Sequence, residues 1–430
     1  MGYKFRDAKF HKRGDDKLAI ITLIISITVV LIIVSKKVNI GYSLMIGAVL
    51  LALLNKMSPI KILSLVWQTF SDYSSVTLAI TIGLITILSH LMDKYLILDR
   101  MISSLEKVLR SAKITILFTP AIIGTLLVTG GALMSCPVVD KLGDKLNLPN
   151  DKRASINLIF RHALYFVYPL SPAIILAAEV GNINLWDFIK LQFPITIVMY
   201  VLGYIFLLRK CDDTKPEKTS LKEYMISIKE FLLYASPILI SLLGVIVLRL
   251  PFYISLLFGI LISISINIYD KRQDSKYDTN QRVFKTIFQG LKIPMVVAIL
   301  GIMLFKNVVN NIDEIYVQLN GFLDKGIPLE LLIIIGCAVI SFSMASTQPS
   351  IALLFPMILP LATSYGMKLN YAMFIYVSAF TFYYISPLHL CQVLTIEYFD
   401  VKVKNLYKNY VYILPITYLS MIVIYLLNIF

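Results

Sequence analysis

Residues 165–181, YFVYPLSPAIILAAEVG, decide the fold, because they are apolar enough for a bilayer yet cannot form one continuous helix. Pro169 and Pro172 lie three residues apart, and proline removes a backbone donor and clashes with the preceding helical turn. Residues 383–398, YYISPLHLCQVLTIEY, repeat the pattern, with the Ser-Pro dipeptide 215 positions further on, half the length of the chain. Broken membrane helices at matching places in two halves are typical of transporters.

The composition excludes a soluble globular protein. The chain has 430 residues, of which 58% are hydrophobic, and runs such as residues 18–34 are long enough to span a bilayer. The net charge of +14 is explained by Lys and Arg in cytoplasmic loops, so no nucleic acid partner is expected. The four cysteines are scattered, which predicts neither a disulfide framework nor a zinc site, and they are interpreted mainly as small hydrophobic residues.

The order of apolar segments predicts an all-α polytopic membrane protein built from two inverted repeats. Each repeat has five membrane-crossing helices, one broken at Ser-Pro, and one re-entrant helical hairpin whose arms are too short to span alone. The predicted parts are a polar tail 1–17, a first repeat 18–209 with hairpin 113–141 and broken helix 154–180, a linker 210–230, and a second repeat 231–430 with hairpin 328–365 and broken helix 370–397.

The distribution of positive charge predicts the orientation. Loops that include the base of the first hairpin and the 210–230 linker carry most of the Lys and Arg residues, so that side is expected to be cytoplasmic and both termini outside. The basic tail 1–17 argues against this orientation. The predicted location is the cell membrane.

Interrupted helices expose N–H groups on one half and C=O groups on the other, and these need protein, water or a ligand in lipid. Helix N-termini suit a small anionic substrate, and the carbonyl ends suit sodium at the hairpin tips. No other metal and no cofactor is expected. The breaks are assigned to Pro169, Pro172, Pro349 and Pro387. The candidate binding residues are Thr129, Gly130, Gly131, Ser135, Arg161, Ser171, Ser346, Thr347, Gln348, Ser386 and His389.

Arg161 is expected near the middle of the bilayer, about ten residues into the first broken helix, where a charge normally faces a cavity or a partner. Its planar guanidinium group would bind an anion through two parallel hydrogen bonds. The alternative is a structural ion pair with Asp140 or Glu179. His162 is interpreted as a packed neighbour. Lys292, near a helix start, is expected to extend toward the membrane surface. His389 is a candidate proton carrier, with a satisfied buried histidine as the alternative.

The segments TGGALMSCPVVD, YPLSP, STQPSIALLFPMILPL and YYISPLH, in hairpins and broken helices of this order, resemble the ion transporter superfamily. Within it the chain resembles a prokaryotic family of integral membrane proteins of unknown function with about ten predicted spans. The resemblance implies an elevator-type secondary carrier, in which a transport domain of hairpins and broken helices slides against a scaffold, usually in a homodimer.

Together these features favour secondary active transport of a small anion, an organic acid or an inorganic oxyanion, coupled to sodium or protons. One alternative is a membrane-embedded protease or transferase, although the sequence has only four histidines and no H-E-x-x-H motif. Another is a passive anion channel. No phosphate-binding loop for ATP occurs in the chain.

Overall fold

A computed structural model describes residues 18–125, 131–212, 220–273 and 283–429, and within these ranges every regular element is a helix. The predicted tail 1–17 lies outside the described residues. The helices of the first half are α1 (Leu18–Ser35), α2 (Ile40–Leu54), α3 (Pro59–Ser71), α4 (Tyr73–Lys94), α5 (Ile97–Leu109), α6 (Ala112–Gly124), α7 (Gly131–Lys145), α8 (Asn150–Ala163), α9 (Pro172–Gly181) and α10 (Leu185–Gly203).

The second half has a similar order of long and short helices. They are α11 (Leu221–Ile246), α12 (Phe252–Gln273), α13 (Val283–Gly290), α14 (Ile293–Val309), α15 (Asp313–Asp324), α16 (Leu329–Met344), α17 (Gln348–Ile358), α18 (Tyr365–Tyr384), α19 (Leu390–Phe399), α20 (Val403–Tyr410) and α21 (Ile413–Ile429).

Length and composition allow five helices of the described chain to cross a membrane, or up to seven if each of two bent pairs forms one span. The five are Tyr73–Lys94, Leu185–Leu208, Leu221–Ile246, Phe252–Asp270 and Val403–Asn428. The bent pairs are α13 with α14, at 40°, and α15 with α16, at 119°. Many large apolar side chains are exposed on the outer helices, as expected for contact with lipid. The protein is therefore a multi-pass membrane protein.

Both predicted interruptions are places where the chain leaves helical geometry. Between α8 and α9 it passes through a short 3-10 turn, Leu164–Phe166, and an irregular stretch before Pro172 begins α9. Proline fits this first helical position because its missing N–H would be unpaired there anyway. Pro387 is different, since it lies inside the gap between α18 and α19 and does not begin a helix.

Two pairs of short helices pack as hairpins. Helices α6 and α7 contact each other, and their connection, residues 126–130, lies outside the described residues. Helices α16 and α17 contact each other through the hydroxyls of Ser341 and Ser350, whose oxygens are 2.7 Å apart. Their connection turns at Ala345, which is in the left-handed region at φ 45°. Each hairpin also packs on a broken helix of the other half, α7 on α19 and α17 on α9.

The halves also meet through α2 against α14 and α4 against α12. A close approach joins Gly41 and Gly301, where a Cβ on Gly301 would meet the backbone of Gly41 and a Cβ on Gly41 would meet that of Val297. Only glycine permits this separation at both positions. Interfaces between membrane helices are commonly enriched in small residues, which allow the helix backbones to approach each other closely.

The predicted linker 210–230 is too long. Helix α11 begins at Leu221, ten residues before the predicted start, and residues 213–219 lie outside the described ranges. A capping box fixes this start, because the Ser220 hydroxyl accepts from the Glu223 N–H at 3.2 Å and the Glu223 carboxylate accepts from the Ser220 N–H at 3.0 Å. Of the charged residues that suggested a linker, Lys222 and Glu223 are exposed in the first turn of α11.

Candidate functional site

A cavity of about 360 Å³ lies where the first break, the tip of the α16–α17 hairpin and the start of α14 meet. Its lining combines aromatic, hydroxyl and cationic side chains. The lining residues are Gly124, Thr125, Arg161, His162, Leu164, Tyr165, Tyr168, Ser171, Pro172, Ala173, Lys292, Met295, Ala345, Ser346, Thr347, Gln348, Tyr383 and Cys391.

The cavity collects about half of the predicted binding residues. Those that line it are Arg161, Ser171, Ser346, Thr347 and Gln348, together with the predicted break residue Pro172. Ser135, Ser386 and His389 lie elsewhere, and the surroundings of Gly131 lie outside what the structure describes. Thr129 and Gly130 lie outside the described residues. The Ser135 hydroxyl is buried and donates to the Ala132 carbonyl of its own helix, at 3.1 Å.

Within the part of the chain that the structure describes, three helices begin at this cavity. The residues that precede their first turns are Ser171 for α9, Lys292 for α14 and Thr347 for α17, and all three line the cavity. None of these three side chains caps its own helix. Because the first N–H groups of a helix have no partner inside the helix, three positive dipole ends converge on one space.

Two cationic side chains add to this positive field. Arg161, in the last turn of α8, is only 7% exposed, and Lys292 enters from the start of α14. Among the described lining residues there is no Asp or Glu. Asp140, one candidate partner of Arg161, instead accepts from Arg153 at 2.6 Å. The cavity can therefore stabilise negative charge.

The packing of α6 on α8 positions Arg161. Gly124 of α6 lies so close to α8 that a Cβ there would meet the Arg161 carbonyl and the stem of its side chain. Glycine at this position therefore lets the C-terminal end of α6 and the last turn of α8 share the cavity wall. A larger residue would push Arg161 away from its place.

Tyr165 and Thr347 join the first break to the hairpin tip. Their hydroxyls hydrogen-bond to each other, and Tyr376 of α18 donates to the Tyr165 carbonyl at 3.0 Å. Thr347 is 1% exposed, so this bond lies inside the protein. The bond connects two elements 182 positions apart in the sequence.

Sequence reasoning missed Thr125, Tyr165, Tyr168 and Lys292 as lining residues. Tyr165 and Tyr168 lie within the first break at a spacing of three, and this spacing was the available signal. Lys292 lies before the start of α14, as expected, and lines the cavity, while its extension toward the membrane surface stays a prediction. Its backbone N–H is fixed by the Thr86 hydroxyl at 3.2 Å.

The second break is filled by protein groups. The Ser386 hydroxyl donates to the Phe342 carbonyl at 2.7 Å and accepts from the Leu388 N–H at 3.2 Å. Tyr407 donates to the Ile385 carbonyl at 2.8 Å. His389 is 1% exposed and packs its ring against Tyr383, with ring centres 4.3 Å apart.

A second cavity, of about 910 Å³, lies at the opposite ends of α9 and α17. Lys306 donates to the Glu179 carbonyl at 3.1 Å and Lys368 to the Asn182 carbonyl at 3.2 Å, at the C-terminal end of α9. Glu179, the other candidate partner of Arg161, lines this second cavity. Helices α9 and α17 therefore run in the same direction, from the first cavity to the second, and their packed side chains separate the two spaces.

Residues 17–428 match the model of a family described as "Protein of unknown function (DUF401)". The chain belongs to the DUF401 family. This confirms the resemblance to a membrane family of unknown function, whereas membership of the ion transporter superfamily stays a prediction. No curated protein matches this DUF401 chain significantly.

A solved structure shares the fold of this DUF401 protein. It is the crystal structure of the Alcanivorax borkumensis YdaH transporter, described as having an unusual topology. The two chains superpose with a TM-score of 0.59 at 14% sequence identity, over 84% of this chain and 86% of that one. The likeness shows that the DUF401 chain shares the fold of that structure.

Proposed function

We propose that this protein is a secondary active transporter of a small anion, an organic acid or an inorganic oxyanion, coupled to sodium or protons. The observation that carries the proposal is the first cavity, where Arg161, Lys292 and three helix N-termini converge and the described lining has no carboxylate. Each helix N-terminus is equivalent to about half a positive charge. A bound anion would offset this concentration of buried positive charge.

Carrier function fits the two cavities better than an open channel does. The cavities lie at opposite ends of α9 and α17, two helices that pack against each other, and no described residue lines both cavities. A channel needs a continuous polar path, whereas a carrier exposes its site to one side at a time. The shared hydroxyl bond of Tyr165 and Thr347 would hold the break and the hairpin tip together around the substrate.

The packing of the halves supports two inverted repeats. Counting from α1 and α11, the helices correspond in order, and contacts occur in exchanged pairs: α2 with α14 and α12 with α4, then α7 with α19 and α17 with α9. Exchange of equivalent partners is what a two-fold relation between repeats produces. In this proposal the hairpins and broken helices form an elevator-type transport domain, in a homodimer, with the 210–220 segment and the base of the first hairpin cytoplasmic.

Uptake by purified protein in proteoliposomes tests the proposal. We expect a panel of carboxylates and oxyanions to identify one class whose uptake depends on an imposed sodium or proton gradient. Arg161→Gln and Lys292→Gln should each raise KM or reduce uptake roughly 10- to 100-fold, because a hydrogen bond to a charged group is worth about 1.5–3 kcal/mol.

Arg249→Gln is the matched control, because Arg249 is exposed in the turn between α11 and α12. It should leave uptake unchanged. Gradient-independent anion conductance would favour the channel, and normal uptake by both cavity variants would contradict the site.

A further inference from the structure

His162, Cys391 and His389 form a cluster beside the first cavity. Their potential ligand atoms, one from each residue, all lie within 4.8 Å of one another. His162 is 5% exposed and His389 1%, while Cys391 is half-buried and lines the cavity with His162. The three residues come from the last turn of α8 and the start of α19, two helices that pack against each other.

The hydrogen bonds of both imidazoles fix their tautomers. His162 Nδ1 lies 2.8 Å from the Leu158 carbonyl and His389 Nδ1 lies 3.3 Å from the Tyr384 carbonyl. A carbonyl oxygen can only accept, so in the neutral rings each Nδ1 carries the proton and each Nε2 presents a lone pair. A histidine that binds a metal through one nitrogen almost always donates its other N–H to a carbonyl, a carboxylate or water.

The Nε2 atom of His389 is buried and has no hydrogen-bond partner in the described protein. The Tyr383 hydroxyl is the hydrogen-bond partner described for His162 Nε2, at 3.4 Å. The imidazole rings of His162 and His389 are edge to face, with their centres 4.9 Å apart. A buried polar atom without a partner costs about 1–3 kcal/mol. A metal ion bound between the two Nε2 lone pairs and the Cys391 thiol would accept electron pairs from all three residues.

We propose that His162, His389 and Cys391 bind one thiophilic transition-metal ion of the Zn²⁺ class. Two imidazole nitrogens and one thiolate are a ligand set that zinc accepts, with bonds of about 2.0–2.3 Å, which puts the ligand atoms about 3.5 Å apart. Side-chain shifts of about 1 Å would close the widest pair to that separation. Oxygen-seeking ions such as sodium and magnesium do not favour these ligands.

Three protein ligands leave one position of a tetrahedral zinc site open. Because His162 and Cys391 line the cavity, water or an anion in the cavity can take that position. The thiolate and such an anion would offset the nearby positive charge of Arg161. The site does not depend on the proposed transport function, and it brings a metal next to the space proposed for the anion.

Titration of the purified full-length chain in detergent tests the site. Against a chromophoric chelator, the wild type should bind one Zn²⁺ per chain at this site, and Cd²⁺ should produce an ultraviolet thiolate-to-metal charge-transfer band. Cys391→Ser should remove the band, and His389→Gln should weaken Zn²⁺ binding at least 10-fold. Cys211→Ser and His90→Gln are matched controls outside the cluster and should bind like the wild type.

Protection from alkylation tests the site without any substitution. Zn²⁺ should slow maleimide labelling of Cys391 but not of Cys211, which is also half-buried. Equal labelling of Cys391 with and without Zn²⁺, or Zn²⁺ binding no tighter than that of the Cys391→Ser/His389→Gln double variant, would overturn the proposal. Since binding is measured without transport, an inactive carrier that still binds Zn²⁺ would contradict the transport proposal alone.

Discussion

The two broken helices resemble each other in sequence but differ in what fills the break. At the first break, Ser171 does not cap α9 and the start of that helix opens into a cavity with Arg161 and Lys292. At the second break, the Ser386 hydroxyl accepts from the Leu388 N–H and the Tyr407 hydroxyl donates to the Ile385 carbonyl. The same Ser-Pro pattern can thus leave helix ends for a ligand or pair them internally, and the neighbouring helices decide which occurs.

The largest expected effect comes from a negative charge at the first break. Ser171→Asp should reduce anion uptake more than 100-fold, because two like charges about 4 Å apart repel by about 4 kcal/mol at an effective dielectric constant of 20. The variant should keep its thermal stability, since aspartate is a favourable residue before a helix. Transport assays and thermal unfolding of the same preparation measure both quantities.

Ser171→Asn is the control for this variant. Asparagine also caps helices but carries no charge, so the variant should retain most of the uptake. Equal loss in both variants would mean that shape, and not charge, matters at this position.

Replacing each break serine by alanine should separate function from stability. Ser386→Ala should lower the thermal midpoint, because the Phe342 carbonyl loses its donor at a cost of about 1–3 kcal/mol, and it should leave the KM for the anion unchanged. Ser171→Ala should change KM with a smaller loss of stability. Unfolding curves and uptake at several substrate concentrations test the pair, and the reverse pattern would show that the second break faces the substrate.

The smallest expected effect concerns the far ends of the short helices. Lysine side chains bond the C-terminal carbonyls of α9, whereas the neutral amide of Asn150 donates to the Phe399 carbonyl at the end of α19, at 3.0 Å. Lys306→Met should therefore destabilise the protein by about 0.3–1 kcal/mol through loss of a favourable charge–dipole interaction. Added salt should weaken this effect, but not that of Asn150→Ala. Unfolding midpoints at low and high salt make the comparison, and an equal salt response would contradict it.

Much of the fold could be predicted from local signals. The Ser-Pro dipeptides made the interruptions before Pro172 and around Pro387 visible in the sequence, although a proline alone does not decide a break, since Pro194 and Pro237 lie inside helices. The start of α11 was also encoded locally, in the S-x-x-E pattern of Ser220 and Glu223, but the charges around it favoured a linker. Charge alone does not separate a solvated helical face from a loop.

The site could be predicted only in part. Arg161 was recognisable because a charged residue deep in an apolar segment is costly in lipid, and therefore faces a cavity or a partner in any membrane fold. Cys391 was interpreted as a small hydrophobic residue, since its position beside His162 depends on the packing of α19 against α8. Likewise, Ser171 and Ser386 have the same local sequence, and only tertiary contacts distinguish them.

The buried guanidinium of Arg161 has an electrical consequence for the proposed transport cycle. A fixed positive charge that moves through the full membrane potential changes its energy by about 2.3 kcal/mol per 100 mV. A bound monovalent anion would lower the net charge of the moving domain by one, and a bound coupling cation would raise it by one. The loaded and the empty carrier would then respond differently to membrane voltage only where these added charges do not cancel, so the voltage dependence of turnover would report the ratio of cations to anions carried.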